Sequence, residues 1–349
     1  MRDRPAGITE RDLGHALADG WGIRSATLRY APVGGGSYHW VVRGERGERR
    51  FVTVDDLDDK GWLGHTRPVV FEGLRAAMDA VATLRREAAL WFVVAPVPAL
   101  DGQPLRPLGP RHAVAVFPFL RGAAGRWDEV YSAPDRDELV TMLAALHRVD
   151  PNNPNNPNDT KNPNNPKDPQ NLAAVRLSHR EIGLPWRGDL ETALRELGRP
   201  WSGGPFAEPT RALLAGAAGQ VRRGLETLDR WAGDATAAGE SVITHGEPHP
   251  GNIIRVDGEM MLVDWDTVGL ARPERDLWMV ASENGDELRR YTELTGRPVN
   301  RTALELYRLR WALDDISCFV RDLRARHRRT GGTEHAWHSL ERTIAQLAR

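Results

Sequence analysis

Glu247, Asn252 and Asp264 are the residues whose types and spacing point most directly to chemistry. They lie in the stretch ITHGEPHPGNIIRVDGEMMLVDWD, residues 243–266. A carboxylate, an amide oxygen and a second carboxylate, brought together, form a hard-oxygen cluster suited to Mg²⁺ and to phosphate transfer. The local sequence predicts that they meet. Pro248, Pro250 and Gly251 keep the segment after Ile243 out of a helix. Ile253 to Val256 then predicts a strand, Asp257-Gly258 a hairpin turn and Met260 to Val263 the returning strand. Such a hairpin brings Asp264 back to the loop that carries Glu247 and Asn252. A zinc-protease reading of His245-Gly-Glu247-Pro-His249 fails, because the spacing is not H-E-x-x-H and Pro248 blocks the helix that would align two imidazoles. His245 is expected to be a structural histidine. His249 either shapes the loop or reaches phosphate.

Upstream, Thr9-x-x-Asp12 predicts a capped helix ending near Gly20. Three strands are predicted next, Ala26 to Val33, Tyr38 to Arg43 and Phe51 to Val54, the first two joined by Gly34-Gly35-Gly36-Ser37. Backbone amides in such a turn can approach phosphate because no Cβ intervenes, although glycines in a turn also serve as a turn and nothing more. Apolar residues from Leu74 to Trp91 recur at helical spacing and predict a helix over 69–91, followed by a strand over Ala113 to Leu120. Later helices are predicted over Asp137 to Val149, Leu190 to Leu197, Thr210 to Ala232, Pro273 to Val280, Arg301 to Arg324 and His335 to Leu347. Pro151 to Asn171 repeats an Asn-Asn-Pro unit with nothing apolar to bury, so a mobile surface excursion is expected there.

The chain's 349 residues suffice for two lobes or one large domain. A formal net charge of −1 gives no general attraction to nucleic acid or an anionic membrane. Cys318 is the single cysteine, so no internal disulfide forms, and with no signal-peptide core or membrane-spanning run a cytoplasmic protein is expected.

His245-Gly246-Glu247-x-x-x-x-Asn252, followed by Val263-Asp264-Trp265 and Arg272-Pro273-x-x-Asp276-Leu277, resembles the aminoglycoside phosphotransferase family. The resemblance runs from the Gly34 turn to the last helices. It implies the protein-kinase-like fold, an α+β bilobal architecture with a nucleotide-binding antiparallel-sheet lobe over 1–120 and a larger, mainly helical lobe over 121–349. It further implies ATP- and Mg²⁺-dependent phosphoryl transfer to a small-molecule hydroxyl, such as that of an aminoglycoside- or aminocyclitol-like antibiotic or a metabolite. Antibiotic resistance would be one outcome, and whether there is a protein partner is left open. By the same resemblance Glu247 orients the acceptor, Asn252 and Asp264 hold metal, and the Gly34–Ser37 turn covers the phosphates.

Two positions depart from the family pattern. Glu247 stands where that family has its catalytic aspartate, and Thr53 stands where its third strand carries the phosphate-binding lysine. Glu87 occupies the place of the helix glutamate that pairs with that lysine. The chain's lysines are Lys60, Lys161 and Lys167, and only Lys60 lies outside the Asn/Pro-rich segment. It follows Asp55-Asp56-Leu57-Asp58-Asp59, so it either reaches back to the phosphates or balances aspartates at the surface. Glu274, Asp314 and Asp315 are candidates to receive a cationic acceptor, though paired acids on a helix also serve as a solvated face. Two other readings stay open, a nucleotide- or ligand-binding pseudokinase without turnover and a kinase of peptide hydroxyls.

Overall fold

The structure is a computed structural model that describes residues 3–127, 129–152, 177, 182–235 and 240–347. From residue 153 onward, the Asn/Pro-rich excursion lies outside the described residues. In chain order the elements are α1 (Glu10–Trp21), β1 (Ser25–Ala31), β2 (Tyr38–Gly44), β3 (Arg49–Asp56), α2 (Arg67–Arg86), β4 (Arg106–Leu108), β5 (His112–Pro118), β6 (Ala123–Ala124) and α3 (Ala133–His147). There follow α4 (Arg187–Arg195), α5 (Ala207–Ala235), β7 (Val242–Thr244), β8 (Ile253–Val256), β9 (Glu259–Leu262), β10 (Gly269–Ala271), α6 (Glu274–Leu277), α7 (Asp286–Thr295), α8 (Arg301–Arg324) and α9 (Gly331–Leu347). The class is α+β, as expected. The chain forms two compact units. One takes the described residues within Asp3–Arg180 and Glu240–Val299, the other those within Glu181–Gly239 and Asn300–Arg349. These units cut the chain differently from a boundary at Arg121.

In the first unit an antiparallel sheet runs in the order β1-β2-β3-β5-β4. Its period of two decides what each face does. Trp40, Val42, Val52, Val54, Val114 and Val116 point to one side and bury against Leu13 and Leu17 of α1. At about 1.5–3 kcal/mol per buried apolar side chain, that face anchors the sheet. The alternation leaves Phe51, Thr53 and Asp55 on the opposite face of β3. α1 starts with the expected capping box, Asp12 N donating to the Thr9 hydroxyl and Thr9 N to the Asp12 carboxylate. It runs one residue past the predicted stop and ends at Gly22, whose φ of 65° suits glycine.

The helix predicted over 69–91 is shorter than its apolar periodicity suggests. α2 ends at Arg86, and Ala89 has a φ of 53°. Beyond it, Phe92 and Val94 exchange backbone hydrogen bonds with Leu262 of β9, a sheet-type pairing incompatible with another helical turn. Trp91, expected on an apolar face, is 46% exposed as a result. The helix predicted over 273–280 likewise shortens to the single turn of α6.

The β8–β9 hairpin forms as predicted around Asp257, whose φ is 52°, and Gly258 at 94°. β6 adds to the outer edge of β8, and Gly122 and Gly125 allow it, since a Cβ on either would lie within 2.6 Å of a backbone oxygen of the loop or strand.

The second unit is helical. α8 has the predicted bounds, is capped by the Asn300 carboxamide accepting from Ala303 N at 3.2 Å, and buries Leu313, Ile316, Val320 and Leu323. α4, α5 and α9 pack against it. Among the described residues no helix is long and apolar enough to cross a membrane.

Candidate active site

The loop between β7 and β8 is held mainly by its own backbone and by two buried side chains. Asp276 of α6 accepts from His245 N at 2.8 Å and from Gly246 N at 2.6 Å. It is completely buried, and burial alone would raise its carboxyl. The hydrogen bond from His147 outweighs that and holds it below the usual carboxylate range. His147 lies 3.0 Å from Asp276 through Nε2 and 2.9 Å from the Tyr291 hydroxyl through Nδ1. A chain from α7 through α3 to α6 thus ends on the amides of the loop. Gly246 has a φ of 103°, and a Cβ there would sit 2.3 Å from the Arg275 guanidinium. That guanidinium is committed, donating to the Thr244 hydroxyl and the Thr267 carbonyl. Only glycine fits.

His245 is structural, as expected. Its Nε2 donates to the Val263 carbonyl at 2.9 Å and its Nδ1 accepts from Glu247 N at 3.1 Å, which fixes one neutral tautomer and ties the loop to the end of β9. Burial draws its imidazole down to about 4. Unfolded, a histidine titrates near 6.5. The unfolded chain therefore takes up a proton between these values that the native chain refuses. Stability is unaffected above that window and falls as pH drops through it, by on the order of 3 kcal/mol for this one group. Urea midpoints at about pH 7.5 and about pH 5 check this, and equal midpoints would contradict it. His249 is also held neutral by burial, at about 3, with its ring edge-on to Trp127 at 4.3 Å.

Asn252 sits in the turn before β8. Its side-chain NH₂ donates to the Glu247 carbonyl at 2.9 Å, which leaves the amide oxygen as the acceptor the side chain can offer. Val263 N donates to the Asn252 carbonyl, placing Asp264 next to it in space. Asp264 adopts a φ of 64°, an uncommon conformation that turns its side chain away from the path of β9. Burial within the recess comes first in raising its carboxyl well above the usual range. The charge of Asp266 comes next, with those of Glu247 and Asp55 adding, while Lys60 pulls the other way. The Asp264 residue nonetheless keeps accessible surface. Trp265 turns inward and is 2% exposed, donating to the Leu262 carbonyl.

Lys60 is fully buried, and the surface alternative for it is excluded. Its ammonium lies 2.5 Å from Asp266 Oδ2, 2.9 Å from Asp55 Oδ1 and 3.3 Å from the Ser37 hydroxyl. Burial lowers the proton affinity of a lysine, but Asp266 and Asp55 more than offset it and keep the group charged. Thr53 faces the same side of β3 as Asp55, and Lys60 reaches Asp55 from the following loop. Ser37 ends the glycine-rich turn. Gly34 there has a φ of 67° and packs over His39, while Gly35 and Gly36 border open space.

Glu87, Glu274 and Asp314 have ion-pair partners of their own. Glu87, at the C-terminal cap of α2, is paired with Arg86 at 2.9 Å, and the carboxylates on Lys60 are Asp55 and Asp266. Glu274 is 2% exposed beside Arg272 at 3.2 Å. Asp314, in the second unit, is paired with Arg310 at 3.3 Å, with Asp315 next to it on α8.

Sequence reasoning passed over Asp55 and Asp266 as site residues. For Asp55 the signal was present, because alternation from Val52 and Val54 puts it on the face of Thr53.

The residues present fit Mg²⁺. Among the described residues no three carboxylate, imidazole or thiol groups converge into a ready-made metal site. Mg²⁺ does not require one, since it commonly takes one or two protein oxygens and completes its shell with phosphate and water. Asn252 and Asp264 offer those oxygens.

A sequence profile of the phosphotransferase enzyme family matches residues 33–312. No curated protein sequence matches the chain. Among solved structures it is similar to a spectinomycin phosphotransferase in complex with ADP and spectinomycin, at 16% identity over 98% of each chain with a TM-score of 0.69. It is also similar to an amicoumacin kinase in complex with AMP-PNP and Ca²⁺, at 12% identity over 97% of this chain and 93% of the other, TM-score 0.57. A choline kinase from Streptococcus pneumoniae matches at 12% identity over 97% and 99%, TM-score 0.53. At such identities the likeness speaks for the fold.

Proposed function

The chain belongs to the phosphotransferase enzyme family, and on that premise we propose that it transfers the γ-phosphoryl group of ATP, with Mg²⁺, to a hydroxyl of a small molecule. The observation that carries the reading is the buried ammonium of Lys60, ion-paired with Asp55 and Asp266 and close to Asp264, which has Glu247 near it in turn. Phosphoryl transfer asks a protein mainly for position and charge.

Glu247 receives a hydrogen bond from the acceptor hydroxyl and takes its proton late in the reaction. Asn252 and Asp264 would hold Mg²⁺, which would supply positive charge to offset that of the phosphates. Lys60 supplies the second positive charge, and the Gly34–Ser37 turn lies over the phosphates. The acceptor class is an aminoglycoside- or aminocyclitol-like antibiotic or a related metabolite. The spectinomycin phosphotransferase among the similar structures supports that class. The single cysteine suits a reducing cytoplasm.

A second reading, a binding protein without turnover, is favoured by one observation: the ammonium of Lys60 is fully buried and already compensated by Asp55 and Asp266. Thermal-shift titration with ATP and Mg²⁺ tests the shared premise, since a ligand of the native state raises the melting temperature. No shift at millimolar nucleotide would remove both readings.

A further inference from the structure

We propose that His39 is a positioning residue for nucleotide binding: its ring and its bond to the Val33 carbonyl hold the Gly34–Ser37 turn where that turn meets phosphate. The proposal rests on the reading of the turn as the cover of the phosphates.

His39 stands on β2 directly opposite Thr53 of β3, so its ring lies on the face of the sheet that carries Thr53 and Asp55. The charges of Lys60 and Asp266 act on the ring, which therefore borders the same recess. Phe51, on that face too, stacks against it with ring centroids 5.1 Å apart and planes 26° from parallel. Gly34 lies at its edge, where a Cβ would come within 3.3 Å of His39 Cε1. Nδ1 is 3.0 Å from the Val33 carbonyl. A carbonyl oxygen can only accept, so Nδ1 carries the hydrogen and donates it.

The turn has reason to need such a support. Residues 33–36 are exposed, Gly34 has a φ of 67°, and Gly35 and Gly36 border open space. Glycine has more backbone freedom to lose than any other residue. At the far end of the turn the Ser37 hydroxyl donates to Asp55 Oδ1 at 2.5 Å and ties it to β3. At the near end His39 ties Val33 to β2. Held at both ends, the turn presents its amides in one place. A ligand that requires that place binds more tightly as its population rises.

The same geometry argues against a direct bond from His39 to phosphate. Burial, the first cause, draws the imidazole down to about 4, so the ring is neutral near pH 7. With the hydrogen on Nδ1, Nε2 keeps its lone pair and can only accept. A phosphate oxygen is an acceptor as well. His39 therefore acts through the turn.

The test separates the two ring nitrogens. The amide nitrogen of asparagine falls where Nδ1 lies, and that of glutamine falls near Nε2. His39→Asn thus keeps the donor to Val33, whereas His39→Gln loses it and keeps a polar group of similar length. Affinities for ATP, ADP and adenosine are read by calorimetry, beside amide hydrogen exchange of residues 33–37. His39→Gln is expected to weaken ATP and ADP by about three- to tenfold, the worth of one neutral hydrogen bond, and to speed exchange in the turn. Adenosine, which lacks phosphate, should stay within about twofold. His39→Asn is expected to keep ATP and ADP within about twofold of the unsubstituted protein.

The opposite order, a weak Asn variant and an intact Gln variant, would assign the effect to Nε2 and overturn the proposal. Equal losses in both variants, or ATP and ADP affinities unchanged in both, would overturn it too. Adenosine weakened as much as ATP by His39→Gln would place the effect at the base and count against it. If the unsubstituted protein binds adenosine as tightly as ATP, the underlying reading of the turn fails, and the proposal with it.

Discussion

Glu247→Gln is expected to lower turnover by about 10²–10⁴-fold while changing ATP affinity less than about twofold. The amide keeps the shape of the side chain and its packing against the loop but cannot accept the hydroxyl's proton. The backbone of the loop should be indifferent, because His245 Nδ1, Asn252 and Asp276 grip main-chain atoms at residues 245–247 and not the Glu247 carboxylate. Turnover and affinity should therefore separate, and single-turnover kinetics beside calorimetry would show it. Glu247→Asp is informative in the other direction. It withdraws the carboxylate by one methylene, and a displacement near 1 Å is worth roughly 10²-fold in rate when the surrounding site is tuned to the longer side chain. A rate that rises on this substitution would mean the site is built for aspartate. Unchanged turnover in Glu247→Gln would remove Glu247 from the reaction.

Lys60→Met should have the second large effect, and on two properties at once. Binding of ATP should weaken by about 10–10²-fold, the worth of a hydrogen bond between charged partners. Stability should fall as well, by about 3–5 kcal/mol, because Asp55 and Asp266 lose the charge that compensates them. Both are measurable on one sample, by calorimetry well below the melting temperature and by urea unfolding without nucleotide. A stable variant with intact ATP affinity would contradict the account. A destabilised one with intact ATP affinity would leave Lys60 a structural ion pair.

Much of the site was readable because it is local. The hairpin that returns Asp264 towards Asn252 needs only Asp257-Gly258 and two short apolar runs, and it formed with β8 as expected. α8 matched its predicted bounds because a capping asparagine and a long apolar face specify it without help from elsewhere. What was not readable depends on distant partners. Leu84, Ala88 and Trp91 continue a helical spacing, but Phe92 and Val94 are drawn into pairing with Leu262, and that contact ends α2 early. Glu87 is left at the cap as a consequence. The chain Tyr291–His147–Asp276 joins residues 144 and 129 positions apart, and no local pattern announces it. Asp55 was hidden differently. Read as part of an aspartate-rich turn it looks solvated, whereas the strand extends to Asp56 and buries both.

Transfer itself is the most direct test. Phosphorus NMR can follow ATP and Mg²⁺ incubated with the protein and each member of a panel of amino-sugars, aminocyclitols, amino alcohols and peptides. The account predicts a new phosphomonoester resonance with at least one small-molecule acceptor, growing as ADP appears and vanishing in Glu247→Gln. Nucleotide that binds tightly yet is never consumed with any acceptor, or a phosphate that appears only on peptide, would contradict it.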